Sequence, residues 1–88
     1  MSTSEGQQDG PEIRRLREKL GMSVDDLACK VGIHAQSVRR IEAGRRGAKL
    51  DMLLKIAEAL DVRLLYIVKR GTPLHAALTR GDAPERVS

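Results

Sequence analysis

Apolar residues along the chain recur at three- and four-residue spacing, and glycines interrupt the rhythm at short intervals. Ile13, Leu16 and Leu20 share one face of a first helix, with Pro11 at its first position and Gly21 as its stop. "MSVDDLACKVG" predicts a second helix. Ser23 is its N-cap, Asp26 three residues later completes a capping-box pattern, and Met22 and Leu27 hold the staple positions. Leu27, Ala28 and Val31 form its apolar stripe, and Gly32 ends it. A third helix starts almost at once, with Ile33 and Val38 as staple residues and His34 between Ile33 and the helix. It runs to about Ala43, where Gly44 closes it. Leu50, Leu53, Leu54, Ala57 and Leu60 define a fourth helix, with Asp51 favouring its N-terminal turn.

The period changes in "DVRLLYIVKR". Val62, Leu64, Tyr66 and Val68 alternate with Arg63, Leu65, Ile67 and Lys69. Period two and β-branched residues predict a strand, with a fifth short helix as the competing reading. A lone strand needs a partner, and the nearest is the same strand of a second subunit across a two-fold axis. Val62, Leu64, Tyr66 and Val68 are therefore candidate dimerisation residues. The chain thus divides into a polar segment, 1–10, expected to be disordered; a helical domain, 11–61; the strand, 62–70; and a tail, 71–88, with a turn or two of helix from Pro73 to about Thr79.

Composition narrows the function. The 88 residues suffice for one small domain, whose aliphatic core is marginal alone and invites a partner chain. Between Ile13 and Arg70 stand 14 basic and 7 acidic residues, whereas the flanks carry 2 basic and 5 acidic ones. A basic centre with acidic flanks suits a polyanion such as nucleic acid. With no Trp or Phe and one Tyr, stacking on single-stranded bases is a poor fit. Cys29 is the only cysteine, which rules out an intrachain disulfide and fits a reducing cytoplasm. "MSTSEGQQDG" has no apolar signal core, and no run approaches a membrane span. His34 and His75 have no third ligand nearby in sequence, so no metal site is expected. No nucleophile–base set, catalytic carboxylate pair or phosphate-binding glycine loop appears, so neither an enzyme nor a cofactor is expected.

Two helices joined by a short glycine-containing turn have the helix-turn-helix layout. Ala28 is small enough for the third helix to cross close over the second, and Gly32 can adopt the turn's backbone angle. Leu27, Val31, Ile33, Val38 and Ile41 supply the shared core. On "IRRLREKLGMSVDDLACKVGI", "VRRIEAGRR" and "LDMLLKIAEALDV", the stretch from Ile13 to about Val62 resembles the Cro/CI-type helix-turn-helix domain of the Xre family. The resemblance implies a mainly α, four-to-five-helix, lambda-repressor-like domain that binds operator DNA as a homodimer.

At about 100° per residue, Val38 and Ile41 of the third helix point inward, while Gln36, Arg39, Arg40 and Ala43 lie opposite, with Ala35 at the edge. Gln suits the N6/N7 edge of adenine and Arg the O6/N7 edge of guanine. The resemblance places base contacts at Ala35, Gln36 and Arg40, with Arg39 facing bases or phosphate. Arg45, Arg46 and the Gly44 N–H are candidate phosphate contacts, as is the helix-two N-terminus at Ser23 and Val24. Relatives often carry Gln where Val24 stands, and their usual capping Ser or Thr of helix four is Lys49 here. Lys49 is either a phosphate contact or an exposed loop lysine. His34 is either a DNA contact or a plain surface residue. The family pattern pairs a helix-one Arg with the Glu at position 42, and Arg17 occupies that place, so Arg17 and Glu42 are expected to form a structural ion pair.

These readings imply a sequence-specific double-stranded DNA-binding transcriptional regulator, a repressor in the first instance. The alternative is an antitoxin-type autoregulator that also neutralises a toxin protein, because "LDVRLLYIVKR" resembles the strand ending of HipB-like antitoxins.

Overall fold

Ser23 and Asp26 cap each other at the start of one helix, and Gly32 ends it eight residues on. A computed structural model of the chain describes residues 7–81 and places that helix second of five. The order is α1 (Gly10–Lys19), α2 (Val24–Val31), α3 (Ala35–Glu42), α4 (Leu50–Leu60), a 3-10 turn (Leu64–Ile67) and α5 (Pro73–Arg80). α2 packs on both α3 and α4, α1 lies against α3, and the 3-10 turn touches α1, α4 and α5. The core is aliphatic, and Ile13, Leu53, Leu64 and Ile67 within it are fully buried.

The turn between α2 and α3 behaves as its sequence predicts. Gly32 has φ +86°, in the left-handed region where a Cβ is unfavourable. Its N–H and that of Ile33 both donate to the Ala28 carbonyl, at 2.8 and 3.0 Å. Ala28 is itself buried.

Three expectations are corrected. Gln7–Gly10 are not a disordered lead-in; residues 1–6 lie outside the described residues. Asp9 caps α1, its carboxylate accepting the Glu12 N–H, so the helix begins one residue before Pro11. Gly10 presses on the end of α3, where an added Cβ would land on the Glu42 carbonyl and 2.9 Å from the Ile41 carbonyl oxygen.

Second, no strand is found among the described residues. Residues 64–67 form the 3-10 turn instead, and the inward residues are Leu64, Ile67 and Val68. A strand would have sent Tyr66 inward and Ile67 outward; Tyr66 is 57% exposed and Ile67 is fully buried. The extended backbone just beyond pairs within the same chain, as an antiparallel bridge between Gln8 and Val68. Asp9 donates to the Ile67 carbonyl at 2.8 Å and Lys69 to the Gln7 carbonyl at 2.7 Å.

Third, the apolar face of α4 is rolled from the expected one. Leu53, Ile56, Ala57 and Leu60 are buried, Leu54 is half-buried, and Leu50 faces outward. α5 is present, capped by Thr72, whose hydroxyl accepts the His75 N–H.

Two stability outcomes follow from these contacts. Gly10→Ala is expected to cost about 1–3 kcal/mol, because two backbones must separate; a lowered urea midpoint at unchanged m-value checks it. At the α2 cap, backbone and side-chain hydrogen bonds with Ser23 hold the Asp26 carboxyl below its ordinary pKa. The folded pKa is the lower one, so the contribution is complete above the ordinary carboxylate value and lost as pH falls through the depressed one. Asp26→Ala should therefore lower the melting temperature at pH 7, and by progressively less as the pH falls below the ordinary carboxylate range, as thermal unfolding followed by circular dichroism would show.

Candidate nucleic-acid interface

The roll of α3 is set by its two buried residues, Val38 and Ile41. With these inward, Gln36, Arg39, Arg40 and Ala43 are exposed, and Ala35 is half-buried at the edge, packed against the core. His34 caps α3 without a side-chain hydrogen bond. Arg45, Arg46 and Lys49 are exposed on the connection to α4, and Lys49 caps α4 by its backbone alone. Residues 39, 40, 45, 46 and 49 thus put five cations around one helix end, with a single acidic residue, Glu42, between them.

Glu42 does not face that cationic surface. Arg17 Nε donates to its Oε2 at 2.7 Å and Arg17 Nη2 to its Oε1 at 3.2 Å. Both side chains are more than nine-tenths buried. Arg17 Nη1 also donates to the Met22 carbonyl at 2.9 Å, so one guanidinium ties α1 to α3 and to the entry of α2. The hydrogen bond to Glu42 raises the Arg17 pKa against the opposing effect of burial. With Glu42 turned inward α3 exposes no acid, and an exposed one nearby is Asp51, which lines a depression with Arg46 and Lys49.

The two basic pairs are less separate than their sequence positions imply. Arg46 Nη1 donates to Ser37 Oγ at 2.8 Å, which lays Arg46 back along α3. Ser37 was missed in the sequence, where it reads as a plain polar helix residue. Arg39 lines a depression of about 300 Å³ with Arg14, Arg17, Val24, Glu42 and Ala43, between α1, α2 and α3. Arg40 lies outside that depression.

At two candidate phosphate sites the backbone donors are engaged within the chain. The Gly44 N–H already donates to the Ile41 carbonyl at 3.2 Å, and those of Arg45 and Arg46 both reach the Arg40 carbonyl. Gly44 serves the turn by its φ of +76°. At the α2 N-terminus the Ser23 N–H donates to Asp26 Oδ2 at 2.9 Å, and Ser23 Oγ accepts the Asp26 N–H at 2.9 Å. The first turn there carries Asp25 and Asp26, and Val24 is half-buried against the core. An anion at this end would meet two carboxylates and find Ser23 already engaged.

The candidate dimerisation residues do not form one surface. Leu64 and Val68 are inside the core, Val62 is half-buried, and only Tyr66 is largely exposed. Among the described residues no group of three or more His, Cys, Asp or Glu could hold a metal, and no helix is long and apolar enough to cross a membrane. Cys29 is free and exposed.

The chain is similar to known proteins. The family model described as Helix-turn-helix matches residues 13–67. The transcriptional repressor RghR of Bacillus subtilis is 41% identical over 54 residues, which is 60% of this chain and 40% of RghR. The chain spans 18% of the length of a matching HTH-type regulatory protein of Pyrococcus furiosus. Among solved structures, the restriction-modification controller protein C.AhdI of Aeromonas hydrophila is 36% identical, with a TM-score of 0.61 over 62% of this chain and 83% of its own. SinR, a regulator of biofilm formation solved in complex with DNA, is 28% identical, with a TM-score of 0.59 over 62% of this chain and 89% of its own.

The buried pair yields a stability outcome. Arg17→Met alone leaves Glu42 charged without its partner and is expected to cost about 3–5 kcal/mol. The double variant Arg17→Met/Glu42→Leu should lose less than the sum of the two single variants, which urea titration of all four proteins would measure.

Proposed function

This chain belongs to the HTH_3 helix-turn-helix family, and from that premise we propose that it is a sequence-specific duplex-DNA-binding transcriptional regulator acting as a repressor. The observation that carries this is the outer face of α3: Gln36, Arg39 and Arg40 exposed, Ala35 at the edge, and the only acid turned away into Arg17. A protein at 41% identity is a repressor and a structure at 28% identity holds DNA, which supports the reading.

α3 lies in the major groove. Gln36 and Arg40 read base edges through paired donors, and Ala35 touches a thymine methyl. Arg39 sits in the depression with Arg14, on the side of α3 nearer α1 and α2, and serves the backbone. Arg45, Arg46 and Lys49 grip phosphate, so affinity falls steeply with salt. Ser23 and Val24 contribute little, since the capping box and two carboxylates occupy their turn.

Two copies bind half-sites about one helical turn apart. The backbone of Ile67 and Lys69 pairs with Asp9 and Gln7 of the same chain, so that edge is not open to a second copy. Side chains around the exposed Tyr66 are the available contact. The antitoxin alternative drew on a terminal strand, and no observation now favours it.

Selection of binding sites from random duplex DNA tests the reading, and a palindromic consensus is the expected product. Arg40→Ala should flatten the preference at its base pair, at about 1–3 kcal/mol of discrimination. Arg45→Ala should weaken all sequences alike and lower the slope of log affinity against log salt by about one. Uniform loss in both variants would overturn this division of roles.

A further inference from the structure

Gln8 is one of two buried polar residues among the described residues, at 2% exposure; the other is Arg17, whose partner Glu42 also has its side chain buried. Its carboxamide is used at both ends. Nε2 donates to the Ile41 carbonyl at 3.2 Å and to the Arg46 carbonyl at 2.6 Å. Oε1 accepts the Ala48 N–H at 3.2 Å. These partners lie in the last turn of α3 and in the connection to α4, the stretch that carries Arg45, Arg46 and Lys49.

The connection "GRRGAK" holds two glycines around its arginine pair and is loose by composition. An apolar side chain at position 8 could fill the same space but could not fix a carbonyl at 46 and an N–H at 48 relative to α3. The carboxamide does, because its donor and acceptor are rigidly opposed. Behind it, the N-terminal arm is itself fastened. The Gln7 carbonyl accepts from Lys69, Gln7 Oε1 accepts the Leu74 N–H at 2.8 Å, and the Asp9 N–H donates to Ile67.

We propose that Gln8 is a positioning residue for DNA binding: its buried carboxamide holds the connection 44–49 in the one arrangement that presents Arg45, Arg46 and Lys49 together. It touches no DNA. The inference rests on the DNA-binding reading above. Without Gln8 the three cations sample many arrangements, and fewer of them meet phosphate in the bound state. The loss is therefore independent of base sequence.

The test compares Gln8→Met, which keeps the length and removes the hydrogen bonds, with Leu78→Ala, which opens the core at α5 and keeps the Gln8 carboxamide. Both destabilise, and only the first removes the hydrogen bonds to the Ile41 and Arg46 carbonyls and from the Ala48 N–H. Affinity is measured for a selected operator and for a random duplex of equal length, across a salt series, at a temperature where circular dichroism shows each protein folded. Gln8→Met should weaken both duplexes by the same factor, about tenfold, and lower the salt slope by about one. Leu78→Ala should leave affinity and slope at wild-type values. Amide exchange at Ala48 should accelerate in Gln8→Met alone. If Gln8→Met does not fold, Gln8→Asn carries the same comparison with an amide too short to span the three partners. Equal affinity and slope for the Gln8 and Leu78 variants overturns the proposal and leaves the DNA-binding reading standing. A wild-type chain with no salt-sensitive duplex binding overturns both.

Discussion

The Arg17–Glu42 pair is the constraint on which the arrangement of α3 depends. A carboxylate in the last turn of α3 has to be buried or to sit among the arginines. Outside, it would cancel part of the positive field; inside, it demands a cation with full hydrogen bonding. Arg17 meets that demand with two bonds to the carboxylate and a third to the Met22 carbonyl. The planar fork of a guanidinium can serve both groups at once, which an ammonium on a flexible stem does less well. The pair itself adds little net stability, but it fixes the register of α1 against α3. With Glu42 held inward, helical geometry sends Gln36 and Arg40 outward.

A core made only of small aliphatic side chains imposes a second constraint, because area is gained only where backbones come close. Ala28 lets α2 and α3 approach, and Gly10 lets α1 begin against the end of α3. The chain also recruits segments that look peripheral. Leu64, Ile67 and Val68 all enter the core, and the extended residues before α1 cover it. This is how 88 residues without Trp or Phe bury fifteen apolar side chains among the described residues.

Local signals were legible in the sequence where local physics decides. The capping box at Ser23 and Asp26 and the left-handed Gly32 are set within a few positions of each other, and the structure has them in place. The Arg17–Glu42 contact spans 25 residues and was accessible through the family pattern, since helical spacing puts Arg17 nearer than Arg14 to the face of Ile13, Leu16 and Leu20 but no local rule pairs it with Glu42. The 3-10 turn was misread for a definable reason. "VRLLYIV" is apolar at nearly every position, so a period of two and a period near three fit it equally, and the core chooses. Leu50 and Ile56 exchanged places for the same reason, as both belong to plausible stripes on α4. Gln8 was invisible because a glutamine in a polar, glycine-containing terminus looks like disorder. Its partners lie 33 to 40 residues away and are all backbone atoms, which no side-chain pattern can announce.

The structure also bears on how an anion could be held here. Helix termini commonly offer backbone N–H groups to phosphate. Here the N–H groups of Ser23, Asp26, Gly44, Arg45 and Arg46 are engaged within the chain. The exposed groups at the end of α3 include the side chains of Arg45, Arg46 and Lys49, and long basic side chains lose rotamer freedom when they bind. That cost is smaller for a side chain already placed. Arg46 is placed by Ser37, and its backbone by Gln8, so two independent hydrogen-bonded groups act on one arginine. Arg45 and Lys49 have no comparable side-chain tether among the described residues, and depend on the path of the connection itself. A face that gripped an anion through such side chains would need its connection held still, and the buried carboxamide of Gln8 ties the Arg46 carbonyl and the Ala48 N–H from outside the helix-turn-helix.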